Sequence, residues 1–140
     1  MGDIVVDTNV LAYALLGVPE TGQASVAAMG ASEEILVPDI LRAELANVVW
    51  QWVRAHRVAV ETARAILFDG EALVSQVVPA NHLWIDALDL SVTRDHPVYD
   101  TLFVALALQR NLPLLSWDKR LGRRFPETVM TPLAYLQAGG

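Results

Sequence analysis

The stretch Ile4-Val5-Val6-Asp7-Thr8-Asn9 decides the fold of this chain. Three consecutive apolar residues, two of them valine, are too few for a buried helix and suit a strand covered on both faces. Asp-Thr-Asn then ends the run with residues that favour caps and turns. Outward from this point the pattern repeats. A helix is expected over residues 9 to 16, stopped by Gly17 and Pro19, and a second over Thr21 to Met29. Ile35-Leu36-Val37 forms a second strand closed by Pro38. Amphipathic helices follow over 39 to 56 and 59 to 69, the latter ended by Asp69-Gly70. Leu73 to Val78 is a third strand, 81 to 93 a helix, and Val98 to Arg110 a nearly all-apolar, buried helix. Leu112 to Ser116 is a fourth strand, Asp118 to Arg124 a short helix, Val129-Met130 a last strand, and Pro132 to Gln137 a helical turn. Short apolar strands alternating with helices imply an α/β fold whose parallel sheet is covered on both faces. In such sheets ligands bind at the carboxyl ends of the strands, where strand order reverses.

The 140 residues fit one domain, 1–140, without repeats or linker-like stretches. There is no cysteine, so disulfides and thiolate metal sites are excluded. No basic segment followed by an apolar one is visible near Met1, and Val6 stands where a myristoylation motif needs Ser or Thr. The longest apolar run, Leu102 to Leu108, cannot span a bilayer. A cytoplasmic location with no membrane partner is expected. Hydrophobic residues make up 54% of the chain, with mean hydropathy +0.36. That richness suits a dry core or a surface that meets a partner.

The net charge of −6 taken alone opposes nucleic-acid binding. The charges are uneven, however. Lys119, Arg120, Arg123 and Arg124, four of the ten basic residues, fall within six positions. Arg120, Arg123 and Arg124 could hold flanking phosphates; a solvated helix face with a favourable C-terminal charge is an equal reading.

Four acids stand where chemistry is expected. Asp7 and Asp118 each follow a strand, and each could simply cap the next helix. Asp100 opens the apolar helix, where a dipole partner is ordinary. Glu44 lies on the stripe Leu41, Leu45, Val48 and Trp52. An unpaired carboxylate there is costly, so it must reach a cation, a pocket, a proton or a buried arginine. Gathered at one sheet edge, the four would repel unless a cation neutralised them. An all-oxygen set favours Mg²⁺ or Mn²⁺, which can hold a phosphate oxygen and activate water. His56, His82 and His96 are not spaced as a metal set and read as surface or loop histidines. Trp50 and Trp52 cannot share one helix face; Trp52 joins the core stripe, and Trp50 points to a neighbouring helix or a partner.

The series Val6-Asp7-Thr8-Asn9-Val10-Leu11, Pro38 with Glu44 six later, Tyr99-Asp100 with Leu106-Ala107, and Leu115-Ser116-Trp117-Asp118 resembles a PIN domain of the VapC type along essentially the whole chain. The resemblance implies a three-layer α/β/α sandwich with a five-stranded parallel sheet in order 3-2-1-4-5. It implies a Mg²⁺- or Mn²⁺-dependent, single-strand-directed endoribonuclease. In that role Asp7, Glu44, Asp100 and Asp118 form the catalytic metal pocket, supported by Thr8, Asn9 and Ser116. Ser116 stands where the family usually has Thr and keeps the hydroxyl; Trp117 is a less usual neighbour at the pocket rim. The resemblance also implies an RNA substrate, a VapB-like antitoxin partner and a homodimer. Other α/β readings fit the residues less well. A receiver-like signalling domain wants paired acids after the first strand and an Asp after the third, and a haloacid-dehalogenase-like phosphatase wants Asp where Asn9 stands. A PIN domain kept as a catalytically silent scaffold is the remaining alternative.

Overall fold

Strand β1 (Ile4–Val6) is the centre of the molecule, with all three side chains fully buried. The computed structural model describes residues 2–139, so Met1 and Gly140 of the expected 1–140 unit lie outside it. Strands β2 (Ile35–Pro38), β3 (Gln76–Val78), β4 (Leu114–Leu115) and β5 (Val129–Met130) complete one parallel sheet in the order β3-β2-β1-β4-β5. β1 pairs with β2 through Ile4↔Ile35 and Val5↔Leu36, and with β4 through Val5↔Leu114 and Val6↔Leu115. The chain therefore leaves β1 towards one side of the sheet and leaves β4 towards the other. The crevice between them is where a parallel sheet leaves room for a ligand.

Helix α1 (Thr8–Leu16) follows β1 directly and ends at Gly17, whose φ of +66° is the left-handed stop that glycine adopts freely. Helices α2 (Thr21–Gly30), α3 (Ile40–Arg54) and α4 (Val60–Leu73) pack with α1. Helix α5 (Trp84–Arg94) lies on α6 (Val98–Arg110), and α6 packs against β1, β2 and β4. Thr101 through Ala107 of α6 are all buried, as its apolar sequence requires. Helix α7 (Lys119–Arg124) precedes β5, and α8 (Pro132–Gly139) rests on α2. No described helix is long and apolar enough to cross a membrane.

The element boundaries depart from the sequence reading in a few places, each with a cause. α4 does not stop at Asp69-Gly70 but runs on to Leu73, which shortens β3 to Gln76–Val78. A Cβ at Gly70 would stand 2.8 Å from Leu45 Cδ2 and 3.3 Å from Leu15 Cδ1, so the glycine marks a close helix crossing rather than a terminus. Residues Ala80–His82 form a separate 3₁₀ turn before α5. The expected terminal turn is a full helix, α8, held by buried Tyr135. On α3 the buried spine is Leu41, Leu45 and Val49, while Val48 and Trp52 are only half-buried. Glu44 thus lies beside the core face rather than on it.

Candidate functional site

The crevice at the β1–β4 switch point is built from two strand ends tied together. Asp7 N donates to Leu115 O at 2.9 Å, which fixes the end of β1 on β4. Oδ1 of Asp7 caps α1 by accepting from Thr8 N at 2.9 Å. Oδ2 accepts from Ser116 Oγ at 2.7 Å. Ser116 Oγ in turn accepts from Asp118 N at 3.0 Å and from Asn9 Nδ2 at 3.3 Å. Asn9 Oδ1 accepts from Trp117 N at 3.0 Å, so α1 and the β4–α7 turn are clasped by side chains. Asp118 caps α7 through Oδ1, which accepts from Arg120 N at 2.9 Å and Leu121 N at 3.2 Å. The cap reading of Asp7 and of Asp118 is therefore correct, and it leaves room for a second role.

Glu44 arrives from α3. Its Oε1 accepts from Thr8 Oγ1 at 2.7 Å. Asp100 arrives from the first turn of α6, and its Oδ2 stands 2.7 Å from His96 Nε2. Behind it, Thr101 Oγ1 donates to Ala87 O at 3.0 Å and lies 2.7 Å from Ser91 Oγ, which holds the start of α6 on α5. Asp7, Glu44, Asp100 and Asp118 all line one cavity of about 590 Å³, together with Thr8 and Asn9. Ser116 lies beneath it, buried against Asp7. Among the described residues no arginine or lysine lines this cavity.

The electrostatics follow from that composition. Burial pushes the Asp7 carboxyl up to about 7, with Asp100 and Glu44 adding to the rise and the Ser116 and Thr8 bonds opposing it. Burial also raises Glu44, the Thr8 hydroxyl lowers it, and Asp100 raises it again. Glu44 makes no ion pair among the described residues, so the buried-arginine alternative does not hold. Asp7 from the end of β1, Glu44 from within α3 and Asp100 from the first turn of α6 thus repel one another in a cavity that no described lysine or arginine lines. Among the described residues no three His, Asp or Glu side chains are grouped closely enough to hold a metal ion between them. An open set of oxygens fits a hard ion such as Mg²⁺, which keeps several waters and needs only one or two carboxylates.

Other sequence expectations fare differently. Arg120, Arg123 and Arg124 are exposed on α7, next to Asp118 in sequence but outside the cavity lining. Trp117 does not shape the rim: its indole Nε1 donates to Ser25 Oγ at 2.9 Å, turning the ring towards α2. Trp52 lines the cavity instead of joining the core, because its place on α3 lies off the buried spine. Trp50 is 53% exposed with the Arg54 guanidinium over its ring. His96 lies in a loop, as expected, but not at the surface: its side chain is 1% exposed and touches Asp100. Its spacing of four before Asp100 was the only signal in the sequence, and such spacing is common by chance. Asn47 and Gln51 also line the cavity with no sequence pattern to mark them, as does Tyr99, which the resemblance quotes only as the neighbour of Asp100.

A family model described as PIN domain matches residues 4–125. Among solved structures, PAE2754 from Pyrobaculum aerophilum superposes with a TM-score of 0.74 at 20% identity, covering 98% of this chain and 89% of that one. A toxin–antitoxin complex from Klebsiella pneumoniae gives a TM-score of 0.65 at 18% identity, covering 92% and 97%. VapBC2 from Rickettsia felis, bound to a DNA fragment from its promoter, gives 0.63 at 15% identity, covering 94% and 98%. No curated protein sequence matches significantly.

Proposed function

Because the chain belongs to the PIN-domain family, we propose that residues 1–140 act as one domain, a metal-dependent endoribonuclease directed at single-stranded RNA and the toxin of a VapBC-like pair. The observation that carries this reading is the cavity lined by Asp7, Glu44, Asp100 and Asp118 with no basic side chain among them. A divalent cation held there would offset the repulsion and burial that raise the Asp7 and Glu44 carboxyls.

Asp7, Asp100 and Asp118 would hold the ion, directly or through water. A bound Mg²⁺ or Mn²⁺ supplies charge for a phosphate oxygen and eases deprotonation of water. Glu44 orients the attacking water, with Thr8 holding the carboxylate. Attack in line forms a bond from the water oxygen to phosphorus as the bond to the 3′ oxygen breaks. The products carry a 5′-phosphate and a 3′-hydroxyl. Ser116 and Asn9 keep Asp7 and the Asp118 turn in register. Arg120, Arg123 and Arg124 would hold flanking phosphates from the neighbouring helix face.

The similar solved structures include a toxin–antitoxin complex and VapBC2, which supports a VapB-like antitoxin as partner. Exposed Trp84, Ile85, Leu88 and Val92 on α5, and Trp50 on α3, give apolar surface for that partner and for a homodimer in the cytoplasm. The decisive experiment is cleavage of a single-stranded RNA with Mg²⁺ or Mn²⁺, with chelator, and with Asp7→Asn. Cleavage by the wild type alone, lost with chelator or in the folded variant, supports the reading. Equal cleavage by wild type and variant in clean preparations overturns it.

A further inference from the structure

We propose that His96 is a positioning residue whose Nε2–H fixes the Asp100 carboxylate in the orientation that faces the acidic cavity. The proposal rests on the reading of that cavity as a divalent-ion site.

His96 sits in the three-residue link between α5 and α6, after Asp95, whose φ of +53° turns the chain out of α5. The turn lays the imidazole inward, where Phe125 meets it edge-on at 6.2 Å between ring centroids. With the side chain 1% exposed, Nε2 stands 2.7 Å from Asp100 Oδ2. The other ring nitrogen, Nδ1, is buried with no hydrogen-bond partner. A proton at Nδ1 would be stranded there, so the geometry assigns the proton to Nε2, donating to the carboxylate.

The orphan nitrogen is what separates a role from simple filling. Buried polar atoms are nearly always paired. If the site needed only bulk against Phe125, an apolar ring would fill it and leave nothing unsatisfied. What the imidazole adds is one directed donor to one oxygen of Asp100. Asp100 is on the first turn of α6 with its side chain 29% exposed, so without a tether its carboxylate is free to turn to solvent. With Oδ2 tethered, the residue still lines the cavity and its charge still reaches Asp7 and Glu44. Partners of this kind, one step behind a metal-binding carboxylate, typically change metal affinity by about 10–100-fold when removed.

The test is Mn²⁺ binding by calorimetry and by paramagnetic resonance, alongside thermal melting, for wild type, His96→Phe and His96→Gln. Phe keeps the ring and removes the donor; Gln restores a donor near the Nε2 position. The expected result is Mn²⁺ affinity down about 10-fold or more in His96→Phe, with a melting temperature unchanged or raised, and affinity recovered in His96→Gln. Wild-type affinity in folded His96→Phe overturns the proposal while leaving the metal reading intact. Absence of Mn²⁺ binding by the wild type overturns the metal reading and the proposal with it. Heteronuclear NMR of the wild-type imidazole needs no variant to fold: a proton found at Nδ1 rather than Nε2 also overturns the assignment.

Discussion

The hydroxyl of Thr8 lies 2.7 Å from Oε1 of Glu44, joining the first residue of α1 to the second turn of α3 in the lining of the acidic cavity. This bond opposes both influences that push the Glu44 carboxyl up, its burial and the charge of Asp100. Thr8→Val keeps the shape and removes the donor, so Glu44 holds its proton to higher pH. If Glu44 orients the attacking water, it must be ionised to do so and then works only in more alkaline solution. Hydrogen bonds to charged groups contribute about 1.5–3 kcal/mol, equivalent to a displacement of about one to two pH units. The acidic limb of the pH–rate profile should move up, and Thr8→Ser should restore it. An unshifted limb in Thr8→Val would show that the hydroxyl does not govern Glu44.

Asp7 makes the metal-free protein pH-sensitive. Its folded pKa of about 7 lies above the ordinary value of 3.8. The folded protein therefore keeps a proton that the unfolded chain has already released. The resulting stabilisation is complete below pH 4 and is lost as pH rises through 7, by an amount on the order of 4 kcal/mol at most. Melting temperature in chelator should fall between pH 5 and pH 8, and Asp7→Asn should flatten that fall. A wild-type profile that is level or rises over this range would contradict the burial argument.

Two glycines of α2 should respond with opposite sign. A Cβ at Gly22 would stand 2.6 Å from the backbone oxygen of Tyr13, so the α1–α2 packing must open. Gly22→Ala should cost about 1–3 kcal/mol. At Gly30 a Cβ meets nothing within 4 Å, and helix propensity favours alanine by about 0.5–1 kcal/mol. Denaturant titration of both variants reads the difference directly; equal effects would mean that the close approach at Gly22 is unimportant.

If the exposed arginines of α7 hold phosphates, replacing Arg120, Arg123 and Arg124 together by Ala should weaken RNA binding. The slope of log affinity against log salt should drop by about 0.7 for each phosphate of a single strand that is no longer neutralised. An unchanged slope would leave these residues as a solvated helix face.

Much of the site is legible in the sequence because its residues belong to local patterns. Asp7 and Asp118 follow apolar runs, and a strand end is visible in a run of three or four side chains. Asp100 opens an all-apolar helix whose span, Val98–Arg110, follows from its composition. Glu44 stands out by its nearness to an apolar stripe, although the buried spine is Leu41, Leu45 and Val49. Periodicity identifies a face to within about one residue, and half-buried Trp52 and Val48 lie inside that margin.

Sequence by itself determined the parallel α/β architecture, the four acids and their order along the chain, because strand and helix signals are short-range and the resemblance spans the whole length. Tertiary structure alone decided which oxygens are committed and which groups stand behind them. Gly70 became a helix crossing, Trp117 turned away to Ser25, and His96 was buried against Phe125 and joined to Asp100. Each outcome depends on what a distant segment lays over the residue. Burial and hydrogen bonding are set by packing across the sheet, and local residue patterns carry no record of which distant segments meet.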